Sequence, residues 1–118
     1  MDAKLRGVFL TCGELEDTAD FYRDIAGLEL SAAGDDEYTY YVLEVGGIQL
    51  ALHDAEAFAD YTHPTVPASN LTHLYFRIDD RTAFLDRLDA AGIIPTAIDD
   101  VVVTVADPDG RQVMFGTA

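Results

Sequence analysis

An internal repeat is the sequence feature that most constrains how this chain can fold. Three pairs of positions recur at nearly the same offset of 65, 63 and 66 residues, namely Gly27 with Gly92, Gly47 with Gly110, and Gly7 with His73. Each repeat unit is roughly sixty residues long, which is too short to bury a stable core alone. The sequence therefore predicts two similar modules that share one core within a single structural domain.

The first repeat predicts the order strand, helix, strand, strand, strand. Side-chain alternation over 5–12 indicates a strand, and apolar residues at three- and four-residue spacing then indicate a helix that ends at Gly27. Three further strands are predicted over 28–33, 38–45 and 48–53, the last two joined by a tight Gly46-Gly47 hairpin. We place the first module at residues 1–53.

The second repeat follows a segment over 54–69 that is rich in Ala, Asp and Pro. We interpret this segment as a linker with one helical turn at 55–59. Residues 70–118 form the predicted second module, whose helix is capped by Asp80 and ends at Gly92. Its strands are predicted over 71–78, 93–98, 100–106 and 111–117, and its helix over 81–91. Pro95 marks the strand over 93–98 as an edge or a bulge.

The charge of the chain is strongly acidic. Its 22 Asp and Glu residues against 7 Lys and Arg residues give a formal net charge of -15. Nucleic acids and anionic membrane surfaces both attract Lys and Arg clusters, so neither is an expected partner. Two interpretations stay open: a generally acidic surface suited to solubility or a saline interior, or acid concentrated where a cationic ligand binds. Many acids fall at predicted helix starts and turns, which favours the first.

Several common signatures are missing from the sequence. The first residues lack the apolar run of a secretory signal, and no stretch approaches the roughly 20 apolar residues of a membrane helix. A single cysteine, Cys12, cannot form an intramolecular disulfide, and we expect it to be buried packing. These observations predict a cytoplasmic protein. Phosphate-binding glycine loops, paired CxxC, HExxH and GxSxG are also not found.

Three segments carry a resemblance to a known family, namely 14–28 (ELEDTADFYRDIAGL), 73–80 (HLYFRIDD) and 107–111 (DPDGR). They resemble the first helix, the strand that opens the second module and the penultimate turn of the vicinal oxygen chelate superfamily. That group contains glyoxalase, extradiol dioxygenase, fosfomycin-resistance and bleomycin-resistance proteins. The resemblance covers nearly the whole chain. It implies an α+β fold in which two βαβββ modules form a curved, cup-shaped sheet with one helix packed outside each module.

The resemblance also implies where a divalent metal would bind, because the metalloenzymes of this superfamily hold a cation with four cup-facing side chains. The matching positions in this sequence are Gly7, Ala51, His73 and Met114. Gly and Ala offer no side-chain donor, and a Met thioether is too soft a ligand for Mg, Mn or Zn. We therefore expect no cofactor and treat a divalent metal at these positions as disfavoured.

Side-chain alternation predicts which residues line the cup. The predicted wall consists of Phe9, Gln49, His53, His73, Tyr75, Arg77, Gln112 and Met114. Aromatic rings with a few polar anchors are typical of a small-molecule site. The other interpretation is a cup filled by its own side chains, without a ligand.

Some residues near the predicted cup keep two interpretations. Alternation sends Tyr38 and Tyr40 to one face of their strand and Tyr41 to the other, without settling which face is inward. Strand packing and ligand stacking therefore both stay open for these rings. Tyr61 and His63 are either surface loop residues or a cover over the cup mouth.

Two further chemistries are open for the histidines. A metal site outside the superfamily's pattern would combine the three histidines with one acid, drawn from His53, His63, His73, Asp54 and Asp60. Alternatively, His73 beside Tyr75 could act as a general base without a metal. The sequence does not specify a carbon acid for such a base.

These observations predict a small-molecule-binding protein that lacks the usual metal site and that binds or sequesters an antibiotic-like or aromatic ligand. The alternative is an enzyme, either a glyoxalase-like lyase or isomerase or a dioxygenase, with an atypical or absent metal site. A structural or regulatory module with a plugged cup is the third hypothesis. The superfamily's modules usually pair across an exposed sheet edge, which implies a homodimer.

Overall fold

The computed structural model describes residues 6–59 and 74–117. The chain divides into two compact units, residues 1–67 and 68–118, and each is described by itself. Each unit contains an open four-stranded mixed sheet, and three helices accompany the two sheets within the described residues. The α+β prediction with two βαβββ modules is confirmed. The predicted linker boundaries stay a prediction, because most of 54–69 lies outside the described residues.

The first unit contains five strands and helices in the predicted order, followed by one short helix. They are β1 (Gly7–Cys12), α1 (Leu15–Asp24), β2 (Ser31–Gly34), β3 (Thr39–Val45), β4 (Ile48–Asp54) and α2 (Ala55–Ala59). The strand order is β1-β4-β3-β2, with β1 parallel to β4 and the other neighbours antiparallel. The single helical turn predicted at 55–59 is confirmed as α2.

The end of α1 explains why the next strand begins later than predicted. Gly27 adopts a positive φ of 71°, which glycine accepts without steric cost. The backbone N–H of Leu28 then donates to the carbonyl of Tyr22, which satisfies one of the last free carbonyls of the helix. Residues 28–30 are used in leaving the helix, so β2 starts at Ser31 instead of residue 28.

The tight turn between β3 and β4 determines the register of the first sheet. Gly46 and Gly47 both have positive φ, 59° and 83°, as a two-residue primed hairpin turn requires. Val45 consequently pairs with Ile48, and the ladder continues to the pair of Tyr41 with Leu52. One further step along this ladder sets Tyr40 opposite His53.

The core of the first unit lies between α1 and one face of its sheet. Fully or almost fully buried side chains on this face are Leu10, Cys12 and Leu52, and α1 contributes Ala19 and Tyr22. The prediction that Cys12 is buried packing is confirmed. The alternate residues of the same strands point to the opposite face, where β1, β3 and β4 carry no part of this core.

The second unit repeats the arrangement with β5 (Leu74–Arg77), α3 (Arg81–Ala90), β6 (Ala97–Ile98), β7 (Val102–Ala106) and β8 (Gln112–Gly116). The strand order is β5-β8-β7-β6, with β5 parallel to β8. The Asp80 carboxylate accepts a hydrogen bond from the N–H of Ala83 at 2.9 Å, which confirms the predicted cap. Phe84 of α3 packs on Phe115 with ring centroids 4.4 Å apart, and Val103 is buried beside them.

One strand and one turn of the second unit differ in how well the sequence predicts them. The strand predicted over 93–98 is reduced to Ala97–Ile98, because Pro95 has no N–H to donate to a ladder. The turn from Asp107 to Arg111 forms as predicted. Its Asp107 carboxylate accepts hydrogen bonds from the N–H of Arg111 at 2.9 Å and from the Arg111 guanidinium at 2.6 Å, and both side chains are buried.

Candidate functional site

A group of aromatic side chains gathers on the face of the first sheet opposite α1. We call this group the aromatic cluster; its described members are Phe9 on β1, Tyr38 just before β3, Tyr40 on β3, His53 on β4 and Phe58 on α2. Strand alternation brings the first four to one face, and α2 follows directly after β4. The cluster therefore arises from three neighbouring strands and one helical turn.

His53 is the residue that the other rings surround. Its imidazole is stacked on Tyr40, with centroids 4.6 Å apart and planes inclined by 19°. The rings of Phe58, Phe9 and Tyr38 lie 4.8, 5.2 and 5.8 Å from it. Only 7% of His53 is exposed to solvent. Aromatic pairs in this distance range attract each other beyond the effect of buried area, so the imidazole is held in one orientation.

The two ring nitrogens of His53 have different surroundings. Nδ1 lies 2.7 Å from the hydroxyl oxygen of Tyr38, and a hydrogen bond joins the two atoms. Nε2 is buried and has no hydrogen-bond partner among residues 6–59 and 74–117. Burial lowers the pKa of the imidazole below its usual value, because the cationic form loses its hydration. His53 is thus a neutral imidazole at neutral pH with one nitrogen left unsatisfied.

Phe9 gives the aromatic cluster an open side. Its side chain is 53% exposed, although its ring contacts both His53 and Phe58. A Cβ placed on Gly7 would lie 3.0 Å from Cε1 of Phe9. The Phe9 ring therefore occupies space that a side chain at position 7 would need. An exposed ring beside a buried imidazole offers a flat apolar surface to a ligand.

The structure settles which tyrosines face the cluster. Tyr41 lies on the α1 side of the sheet, where its hydroxyl donates to the Glu16 carboxylate at 2.6 Å. Arg23 stacks over the Tyr41 ring at 4.5 Å, and the hydrogen bond to Glu16 raises the pKa of the phenol. Tyr38 and Tyr40 point the other way, toward His53.

Of the predicted wall residues in the first module, the structure brings two together. Phe9 and His53 are in ring contact. Gln49 lies on the same face of β4 but four residues before His53, where it pairs with Gly7 of β1. It has no place in the ring contacts of His53. That these residues bind a ligand stays a prediction.

The described wall residues of the second module lie on its strands β5 and β8. Tyr75 pairs in register with Met114, is 47% exposed and lies across Gly116, where a Cβ would collide with its hydroxyl. Gln112 accepts a hydrogen bond from the Thr96 hydroxyl at 2.8 Å. In the same module, the exposed Arg77 side chain is paired with Asp79 at 3.0 Å. Predictions for Tyr61, His63 and His73 lie outside the described residues.

The described residues at the superfamily's metal positions do not fit a divalent cation. Gly7 and Ala51 carry no donor atom, and Met114 offers a thioether. Across 6–59 and 74–117, no group of three His, Cys, Asp or Glu side chains could hold a metal ion. The predicted absence of a cofactor stays a prediction.

The hypothesis of a three-histidine metal site also stays a prediction, because two of its histidines lie outside the described residues. Of the described members, His53 already binds Tyr38 through Nδ1. Asp54 accepts a hydrogen bond from the N–H of Ala57 at 3.0 Å and so begins α2.

A family model for the Glyoxalase/Bleomycin resistance protein/Dioxygenase superfamily matches residues 4–115. The chain belongs to this superfamily. The match spans both modules, which agrees with the resemblance of the three sequence segments. No curated protein matches the chain significantly.

Solved structures of the superfamily's fold are similar over almost the whole chain. A lactoylglutathione lyase from Agrobacterium tumefaciens is 22% identical, with a TM-score of 0.68 over 98% of this chain and 93% of that chain. The antibiotic-binding protein TnmS3 from Streptomyces sp. CB03234 is 20% identical, with a TM-score of 0.66 over 98% and 95%. A fosfomycin resistance protein from Listeria monocytogenes, solved with Mn(II) and a dihydroxypropylphosphonic acid, is 16% identical, with a TM-score of 0.70 over 100% and 94%. At these identities the similarity shows the superfamily's fold alone.

Within the part of the chain that the structure describes, no helix is both long and apolar enough to cross a membrane.

Three residues of the aromatic cluster are not identified by the sequence alone. Phe58 was not expected, although it lies within a predicted helical turn directly after a strand that ends near His53. Tyr38 and Tyr40 were not assigned to a face. The sequence does contain a signal for Tyr40. A two-residue turn at Gly46-Gly47 sets the register of the hairpin, and continuing that register along the strands pairs Tyr40 with His53.

Proposed function

We propose that the protein binds a planar aromatic small molecule without a metal ion, and that the aromatic cluster of the first module holds it. The observation that supports this proposal is the ring arrangement around His53, with the half-exposed Phe9 at its open side. Rings with one polar anchor are the usual composition of a ligand site. Stacked and edge-on rings also favour a planar partner.

The donor chemistry supports binding that is independent of a metal. Gly7 and Ala51 supply no ligand atom, and the space next to Gly7 is taken by the Phe9 ring. At Gly7, the first of the superfamily's metal positions, the neighbouring Phe9 ring thus supports an apolar contact surface instead of a metal ligand. The similar fold of an antibiotic-binding protein is consistent with an antibiotic-like aromatic ligand.

The position of the acidic residues supports an uncharged ligand. Carboxylates of Asp35, Asp80, Asp99 and Asp107 accept hydrogen bonds from backbone N–H groups at turns and at a helix start. Among the described residues, the ring and hydrogen-bond contacts of His53 include no charged side chain. The net charge of -15 thus describes the surface of the protein more than its ligand.

An NMR titration of nitrogen-15-labelled protein in excess EDTA tests the proposal. The probes are naphthalene as an uncharged planar compound, N-methylacridinium as a planar cationic compound, and bleomycin. We expect saturable shifts with naphthalene at the amides of Tyr40, His53 and Phe58. Absence of saturable shifts with all three probes at high micromolar concentration would contradict the proposal, as would binding that requires an added divalent metal.

A pair of variants connects the titration to the aromatic cluster. Phe9→Ala removes the open ring and should weaken naphthalene binding by about tenfold, because an aromatic contact contributes about 0.5–1.5 kcal/mol beyond its buried area. Ile94→Ala removes an apolar side chain that is 87% exposed in the second module, and it should leave the affinity unchanged. Equal losses in the two variants would place binding elsewhere.

The alternative function is that of an enzyme, a glyoxalase-like lyase or isomerase or a dioxygenase with an atypical or absent metal site. The observation that favours a reaction is the hydrogen bond between Tyr38 and His53, since Nε2 of an oriented neutral imidazole is suited to accept a proton when Nδ1 donates to Tyr38. Metal analysis after purification without chelator separates the alternatives. Stoichiometric Zn, Ni, Mn or Fe would favour the enzyme over the binding protein.

A homodimer and a cytoplasmic location complete the proposal. The dimer rests on the tendency of the superfamily's modules to pair across a sheet edge, and it is tested by light scattering at micromolar protein concentration. A monomeric mass would contradict it. The acidic charge supports a protein without nucleic-acid or anionic-membrane partners.

A further inference from the structure

The unsatisfied nitrogen of His53 carries information about the ligand that the surrounding rings do not. Within the described part of the chain, Nε2 is buried without a hydrogen-bond partner, while Nδ1 of the same ring is bound to Tyr38. A buried polar atom without a partner destabilises a folded protein, so such atoms are rare and call for an explanation. A ligand that supplies the missing hydrogen bond would provide one.

The chemistry of Nε2 restricts the group that can pair with it. His53 is neutral at neutral pH because burial lowers its pKa. A carboxylate or a cation brought next to it would lose its hydration without gaining an opposite charge. A neutral group therefore pairs with the neutral imidazole at the lowest desolvation cost.

The tautomer of His53 restricts this group further. If the Tyr38 hydroxyl donates to Nδ1, Nε2 carries the proton and needs an acceptor. If Nδ1 donates to Tyr38, Nε2 is the acceptor and needs a donor. A hydroxyl group serves in both cases, because it has one proton to donate and lone pairs to accept.

We propose that the ligand is a planar aromatic compound bearing a neutral hydroxyl group, and that this hydroxyl forms a hydrogen bond with Nε2 of His53 inside the aromatic cluster. This inference rests on the proposed function and specifies the ligand class of the same site. Because Nε2 is closed to solvent, the ligand reaches it by displacing a side chain that covers it. The hydroxyl then satisfies the nitrogen while the aromatic ring replaces the contacts of the displaced group.

The test compares naphthalene with 2-naphthol, which have the same ring system and differ by one hydroxyl. The chain contains no Trp, so the fluorescence of both probes can be followed during titration. The wild-type protein should bind 2-naphthol about tenfold more tightly than naphthalene, as expected for a hydrogen bond to a buried, unsatisfied group. In His53→Phe this ratio should fall to about one, because the ring remains and the nitrogen is lost. Ile94→Ala should keep the wild-type ratio.

The possible outcomes separate this inference from the proposed function. Equal affinity of the wild type for the two probes, or a tenfold preference retained in His53→Phe, overturns the hydroxyl pairing and leaves aromatic binding standing. Failure of both probes to bind contradicts the proposed function and this inference with it. If His53→Phe does not fold, the nitrogen-15 shift of Nε2 in the wild type decides: it should change several times more with 2-naphthol than with naphthalene, and equal changes overturn the hydroxyl pairing.

Discussion

The hydroxyl oxygen of Tyr38 lies 2.7 Å from Nδ1 of His53, and this hydrogen bond joins the residue just before β3 to one near the end of β4. It orients the imidazole within four aromatic rings. It also leaves Nε2 as the ring nitrogen that is buried without a hydrogen-bond partner among the described residues. The consequences can be measured residue by residue.

Tyr38→Phe should lower the free energy of unfolding by about 1–2 kcal/mol, because it leaves a second nitrogen of the buried imidazole unsatisfied. Tyr41→Phe makes the same chemical change on the other face, where the lost hydrogen bond to Glu16 is exposed. That variant should cost about 0.5 kcal/mol or less. Urea unfolding of both variants checks the difference, and equal losses would contradict a special role for the Tyr38 contact.

The stability of the protein should depend on pH through His53. Burial lowers the pKa of this imidazole in the folded protein below the value of about 6.5 that it has in an unfolded chain. Its contribution to stability is therefore fully present above about pH 6.5 and is lost as the pH falls through the lower, folded pKa. Between pH 7.5 and pH 5 the wild type should lose more stability than His53→Phe in denaturant titrations. Parallel pH profiles of the two proteins would show that His53 does not titrate in this way.

Phe58→Ala should raise the pKa of His53 toward its ordinary value. Phe58 contacts the imidazole at 4.8 Å, and removing its ring admits water to a group whose pKa is lowered by burial. An NMR titration of the His53 ring protons measures the shift. Ile94→Ala, in the other module, serves as the control and should leave this pKa where it is in the wild type.

Two glycine substitutions should differ in their cost. A Cβ at Gly7 would lie 3.0 Å from the backbone carbonyl oxygen of Gln49 and 3.0 Å from the Phe9 ring, so Gly7→Ala should destabilise by about 1–2 kcal/mol through overpacking.

At Gly116 the colliding atom is the end of the half-exposed Tyr75 side chain, which can turn away. Gly116→Ala should therefore lower the free energy of unfolding by less than about 1 kcal/mol. The cost of moving Tyr75 is partly offset because alanine lowers the conformational entropy of the unfolded chain. Thermal unfolding of the two variants compares them. A larger loss in Gly116→Ala would mean that Tyr75 is firmly held.

Much of the fold is predictable because it depends on local chemistry. The glycine after α1, the Asp80 cap and the turn at Asp107 all form as the sequence indicates, since each requires a particular residue at one position. The shortened β6 shows the limit of this reasoning, because Pro95 weakens a strand without stating where pairing resumes.

The candidate site was only partly predictable. Alternation alone groups Phe9 with His53, but it does not say that α2 turns Phe58 toward the imidazole. That direction depends on how the chain leaves β4, where Asp54 accepts a hydrogen bond from the N–H of Ala57. The hydrogen bond between Tyr38 and His53 likewise depends on side-chain reach across the sheet, which periodicity does not describe.

The Gly46-Gly47 turn has a consequence for how such a site could change in evolution. A one-residue slip between two strands moves every side chain of one strand to the other face. Inserting a single residue into this surface turn would therefore exchange Tyr40 for Tyr41 beside His53, and would bring the ring now bound by Glu16 and Arg23 into the aromatic cluster. The length of a loop at the far end of the hairpin would then decide which ring packs on the imidazole.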